Sequence, residues 1–124
     1  MSVITITAGD IAIRVKTLDT PTAVAIVAAC PIVSSANTWG DEVYFSTPVN
    51  VAREANAKAA VQAGELAYWP DGNAIAVGFG PTPISQGEEI RLASPCNIWG
   101  HTLDNVKSLS GVRNGANVTV EVTE

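Results

Sequence analysis

Cysteine, histidine and basic side chains are all scarce in this 124-residue chain. The two cysteines, Cys30 and Cys96, and the one histidine, His101, lack the close spacing that a structural metal site needs, so no metal is expected, and no cofactor either. The cysteines could form a disulfide only if the fold brought them together; the plainer reading is two small buried apolar side chains. Seven basic residues face twelve acids, for a net charge of −5. The seven (Arg14, Lys16, Arg53, Lys58, Arg91, Lys107 and Arg113) are scattered and form no stripe. Nucleic acids and anionic membranes are held by clustered cations that displace counterions, so neither is an expected partner. No apolar run approaches the ~18 residues of a membrane-spanning helix. The N-terminal MSVITITAGD has no basic segment followed by an apolar one, which a secretory signal would show. The expectation is a soluble cytoplasmic protein.

What is present is alternation. At 47% hydrophobic and 15% charged residues the chain is dry but globular. One domain over residues 1–124 is the default at this length, and it should bury roughly two-thirds of its extended surface. Ile4 and Ile6 share one face against Thr5 and Thr7, and Ile11, Ile13 and Val15 repeat the pattern after Gly9-Asp10, so the opening reads as a β-hairpin. The period then changes. Thr20 is placed to cap a helix with Pro21 at its first position, Ala23 to Ala29 is nearly all apolar, and Pro31 stops it. A helix so apolar is expected to plug an opening such as a barrel end.

Further strands are expected over 40–47, 65–70, 74–80, 89–93, 96–103 and from Val118 to Val122. Residues 51–63 read as a long surface connection with a helical turn or two, and Pro70 to Asn73 as a turn. Asp104 is placed to cap a short helix carrying Val106 and Leu109, ended by Gly111. Seven or eight short strands with a plugging helix point to a closed antiparallel barrel, which leaves no open edge.

Three stretches carry a resemblance: NTWGDEVYFSTPVNV, GELAYWPDGNAIAVGFGPTPIS and SPCNIWGHTLDNVKSL. Together they resemble a family of small bacterial and archaeal cyclophilin-like proteins of uncharacterised function. The resemblance spans nearly the whole chain. It implies a mainly β fold, a closed eight-stranded antiparallel cyclophilin-like barrel with one or two capping helices. Ordinary cyclophilins are peptidyl-prolyl isomerases, and their chemistry uses an Arg beside the proline amide. The barrier to amide rotation is ~18–20 kcal/mol, and a fixed cation near the nitrogen lowers it. Matched by strand order, that Arg would lie in residues 40–47, where this chain has none. The position of the pocket His is taken by Cys96, and the Phe-rich strand is matched by Ala74 to Phe79. The resemblance thus implies the shell of an isomerase without most of its working residues.

The candidate site residues follow from this reading. Glu42 and Tyr44 share one face of a strand, and a carboxylate beside a phenol suits a ligand contact. Asp41 and Glu42 point to opposite faces and cannot converge as an acid–base pair unless the chain bends at Gly40. Trp39, Trp69 and Trp99 each precede Gly or Pro, so each is expected at a strand end, either capping the core or forming a stacking wall. Tyr68-Trp69-Pro70 with Phe79 is the best such wall. Tyr44, Phe45, Trp69, Phe79 and Thr82 are the expected groove residues, with pure core packing of Val43 and Phe45 left open. Arg91 is the remaining cation near the expected pocket, and His101 is the one residue of a type whose reference pKa lies near neutrality. Cys96 and His101, five apart on one strand, face opposite sides unless a bulge intervenes, and a nucleophilic site would also need an orienting acid in reach. The first expectation is therefore a module that binds a small molecule or peptide segment. The alternatives are an isomerase working through Arg91 or through no cation, and an accessory subunit of a larger enzyme with a protein partner or a second copy of itself.

Overall fold

The computed structural model describes residues 2–124. It is an antiparallel β structure with one α-helix and two 3-10 turns. The strands are β1 (Val3–Ala8), β2 (Ile11–Thr17), β3 (Ile32–Ser35), β4 (Asn37–Thr38), β5 (Glu42–Ser46), β6 (Lys58–Val61), β7 (Glu65–Trp69), β8 (Ala74–Gly78), β9 (Ile90–Thr102) and β10 (Asn117–Val122). Nine of them form one path, β3-β10-β1-β2-β9-β7-β8-β5-β4. Its two ends, β3 and β4, are separated only by Ala36 and belong to one segment. The first half of that segment pairs with β10 and the second with β5, so the chain itself nearly closes the ring. Counted as one strand, β3 and β4 leave the eight staves expected of a cyclophilin-like barrel.

The inner faces follow the period-2 pattern. Ile4, Ile6, Ile13, Val15, Val43, Phe45, Leu66, Tyr68, Ile75, Val77, Trp99, Val118 and Val120 make one buried core. Helix α1 (Pro21–Ala29) begins as its sequence requires, with the Thr20 hydroxyl accepting the Ala23 N–H at 3.1 Å and Pro21 in the first turn. It packs Ala23 and Ile26 into the barrel core and leaves Val24 facing outward. One polar network pins it there. Asn97, fully buried on β9, donates to the Thr22 hydroxyl (3.0 Å) and to the Ala52 carbonyl (3.0 Å), and its oxygen accepts the Glu54 N–H (2.8 Å). The Glu54 carboxylate in turn accepts the Thr22 N–H at 3.2 Å and the Thr22 hydroxyl. Tyr68 does similar work from the core: its hydroxyl donates to the Val49 carbonyl at 2.6 Å and accepts from the Asn73 amide at 3.2 Å. Both networks tie the irregular segment after β5 to the barrel.

Several elements differ from the sequence reading. Residues 32–38 form the closing strand, although only Ile32 and Val33 mark it as apolar. Residues 51–63 contain no helix; instead β6 pairs with β9. The two strands expected on either side of Ser94-Pro95 are one, β9. Proline is tolerated there because the ladder with β6 shifts register between Cys96 and Arg91 and that with β7 starts only at Asn97, so no pairing donor is lost at Pro95. The cap of the 3-10 turn Val106–Gly111 is Asn105, which accepts the Lys107 N–H. Asp104 instead holds the Arg14 guanidinium at 2.8 Å.

The Asn97 network predicts a concentrated stability effect. Asn97→Ala removes three hydrogen bonds made from a fully buried position, and we expect a loss of about 2–4 kcal/mol in urea unfolding. A loss below ~0.5 kcal/mol, the range of ordinary surface changes, would contradict this role.

Candidate functional site

The site begins with the outer face of the barrel wall made by β5, β8 and β7. Inward residues there are large, but outward ones are small on β8, at Ala74, Ala76 and Gly78, and at Ala67 in the middle of β7. Above them lies a flap formed by β6 and the first half of β9. Val61, Ile90, Leu92 and Cys96 of the flap bury against Ala67 and Ala76 in a second, smaller core. The approach is close: a Cβ on Gly78 would meet Ile90 Cγ2 at 2.3 Å. All five residues of β8 are therefore buried although the strand belongs to a single-layered barrel. Small residues let the flap settle, and where it stops a pocket remains.

That pocket, of ≈ 200 Å³, is lined by Trp39, Glu42, Tyr44, Trp69, Ala76, Leu92, Ala93 and Cys96. Register explains the grouping. Glu42 lies opposite Gly78 and Tyr44 opposite Ala76, on the outward face, while Val43 and Phe45 alternate into the core. Trp39 comes from the tight turn between β4 and β5. Gly40 takes φ +60 there, and a Cβ on it would meet Thr82 Cα and Pro83 Cδ at 2.9 Å, so only glycine fits. The Trp39 N–H donates to the Glu42 carbonyl at 3.0 Å, which closes the turn. Trp69, the last residue of β7, lies against Gly72 and is fixed by its indole N–H, which donates to the Ser94 hydroxyl at 2.6 Å. Ser94 donates onward to Asp71 at 3.2 Å.

Glu42 is the unusual member. It is only 5% exposed, and its Oε1 has no hydrogen-bond partner. Among the described residues none that lines the pocket is basic. Burial without compensation disfavours the charged form, and the carboxyl is pushed up to about 7. Cys96 is also desolvated and, with Glu42 and Asp71 adding negative potential, its thiol is pushed up to about 12. A thiol held so firmly protonated is a poor nucleophile. The pocket therefore offers a dry carboxyl, aromatic walls and a neutral floor, an inventory suited to holding a ligand.

Of the eight candidates named from sequence, Glu42, Tyr44 and Trp69 line this pocket. Phe45 lies in the barrel core. Phe79 packs at the edge of that core and borders a different, broad and open groove with Asp41, Glu88 and Lys107. Thr82 is buried and supports a loop: its hydroxyl donates to the Arg91 carbonyl and its N–H donates to Ser85 at 2.8 Å. Arg91 is engaged by Glu89 through two contacts, 2.6 and 3.2 Å long. His101 is exposed on β9 in register with Lys16 and Glu65. Trp99 is buried in the core in mid-strand rather than at a strand end. Trp39, raised from sequence only as a ring that either caps the core or forms a stacking wall, lines the pocket, whereas Leu92 and Ala93 were not among the candidates. The period-2 pattern that joined Glu42 to Tyr44 is silent about a turn residue and about a flap that crosses from another part of the sheet. Cys30 and Cys96 are both free thiols, and no cluster of three or more potential metal ligands occurs among the described residues. Nor is any described helix long and apolar enough to cross a membrane.

Comparisons with known proteins agree with this architecture. A family model described as Cyclophilin-like matches residues 2–121. The solution structure of the hypothetical protein AF2241 from Archaeoglobus fulgidus is similar with a TM-score of 0.85 and 41% sequence identity, over 98% of this chain and 95% of that one. A comparison with curated proteins found no match.

The burial of Glu42 has a measurable sign. Unfolded, the carboxyl titrates near its ordinary 4.5; folded, near 7. Between these values the native state keeps a proton that the unfolded chain has lost. The contribution is therefore most favourable below pH 4.5 and declines as pH rises to 7, by roughly 3 kcal/mol. Glu42→Gln should remove that slope and be more stable than the parent at pH 8. Parallel pH profiles for the two proteins in urea unfolding would contradict the assignment.

Proposed function

Because the chain belongs to the cyclophilin-like family, we propose that it works as a binding module, holding a small molecule or a short peptide segment in the pocket on the outer wall of its barrel. The observation that carries this reading is the grouping of Trp39, Tyr44 and Trp69 in one pocket with Glu42, whose buried Oε1 has no hydrogen-bond partner. Aromatic walls supply apolar area with little loss of side-chain freedom, and one misfit polar group fixes orientation. The volume of ≈ 200 Å³ is below the ~300–1,000 Å³ common for drug-sized ligands, which favours a small molecule or a single side chain. Isomerisation in the usual way has less support, since Arg91 is held by Glu89 and does not line the pocket.

A fragment library followed by tryptophan fluorescence and thermal shift tests the reading. We expect saturable hits that Ala93→Phe, at an exposed lining position outside both cores, weakens at least tenfold. No hits, or hits indifferent to Ala93→Phe, would overturn it. In a protease-coupled prolyl peptide assay we expect the uncatalysed rate; an acceleration that Arg91→Ala abolishes would replace binding by catalysis.

A further inference from the structure

We propose that the ligand of this pocket presents an alkylammonium head, seated against the Glu42 carboxylate between Trp39, Tyr44 and Trp69; the inference rests on the binding reading above. Three observations lead to it. The first is the missing partner. Glu42 Oε1 is buried and accepts no hydrogen bond from the chain, and a buried acceptor of this kind gains from a group that donates to it. No lysine, arginine or histidine among the described residues lines the pocket, so its own side chains supply no cation to Glu42.

The second is the rim. Aromatic faces carry negative quadrupole potential, and cations are drawn to them most strongly where water is excluded. Three such rings line a pocket with a carboxylate, the combination that recognises methylated and quaternary ammonium groups in aromatic cages. Trp69 is further biased, because its N–H donates to Ser94 and Ser94 donates to Asp71. A donor chain ending on a carboxylate polarises the indole toward greater electron density. Arg53 approaches that same carboxylate at 3.8 Å but is half-exposed and does not line the pocket.

The third is what surrounds the cation. Ala76 and Leu92 are apolar, and Cys96 remains a neutral thiol, so an alkyl stem meets no competing charge. A ligand carboxylate or phosphate would instead face Glu42 with no pocket cation to balance it, and like charges there repel. A neutral carbonyl ligand, accepting from protonated Glu42, would leave the rings without their electrostatic role. The ammonium head uses both features at once.

The test compares cations with neutral shapes at pH 8. Choline, N,N-dimethylbutylammonium and an Nα-acetyl dimethyl-lysine amide are titrated beside 3,3-dimethyl-1-butanol, an uncharged analogue of choline, with tryptophan fluorescence as the readout. We expect at least one cation to bind tenfold or more tighter than the neutral alcohol. Glu42→Gln should erase that preference while leaving the weak binding of the alcohol in place, and Trp39→Leu should weaken the cations selectively. A preference for the lysine derivative or for the free amines identifies the carrier of the head, and either result supports the proposal. Equal binding of alcohol and cations, or undiminished cation binding by Glu42→Gln, overturns it. Silence from every cation also overturns it. In that case hits from the fragment library would leave the binding reading standing, and a blank library would remove both.

Discussion

The structure depends on a constraint at the outer wall of the barrel: where the flap lies on β7 and β8, the side chains beneath it must be small. Ala67, Ala76 and Gly78 leave room for Ile90, Leu92 and Cys96 to lie directly on the sheet, and the 2.3 Å that would separate a Gly78 Cβ from Ile90 shows how little room is spare. A larger residue would lift the flap, and the second core would be lost with it. The pocket is a consequence of the same geometry. It occupies the margin where the flap no longer covers the small-residue floor and where Trp39, Tyr44 and Trp69 take over as walls. Fold and site therefore share one cause, the alternation of large inward and small outward residues along two neighbouring strands.

Burial of Glu42 follows from that arrangement and runs against stability. A carboxyl at a strand start is ordinarily solvated; here the register with Gly78 and the turn through Gly40 place it under aromatic cover. Leaving it uncompensated costs about 3 kcal/mol at neutral pH by the shift in its titration, a sizeable part of the ~5–15 kcal/mol that holds a domain together. Most other buried polar side chains are paired, as Asn97, Tyr68 and Thr82 illustrate; among the described residues the Trp99 indole N–H, in the barrel core, also lacks a partner. Of the two, Glu42 is the one that lines a pocket, and departures from local consistency concentrate at functional sites.

Much of the barrel was legible because its inner face obeys a simple period. β1, β2 and β10 alternate cleanly, and Thr20-Pro21 with Pro31 fixed both ends of the helix. The closing strand at 32–38 was hidden by its serines, since it is held by pairing on both sides rather than by apolar content. β6 was hidden by its alanines, which suit either a weak helix or a strand edge; only its pairing with β9 decides between them. Pro95 divided β9 on paper, but it sits where neither neighbour needs its N–H. The site was half legible. Shared strand parity joined Glu42 to Tyr44, and Trp69 was singled out as a wall. Phe45 and Phe79 went astray because aromatic character says nothing of which side of a barrel a ring occupies. Trp39 and Leu92 reach the pocket through a turn and a flap, relations that exist only in three dimensions.

The site depends on Glu42 being buried, with its Oε1 unpaired, in the pocket that Trp39, Tyr44 and Trp69 line. The most direct test is the side-chain carboxyl titration of Glu42, followed by carbon-13 NMR on the intact protein without added ligand. A midpoint near 7 is expected, with the Tyr44 and Trp69 ring signals shifting over the same range. A midpoint near the ordinary 4.5 would mean a solvated carboxylate and an open, wet pocket, and would refute the burial of Glu42 as the basis of the site.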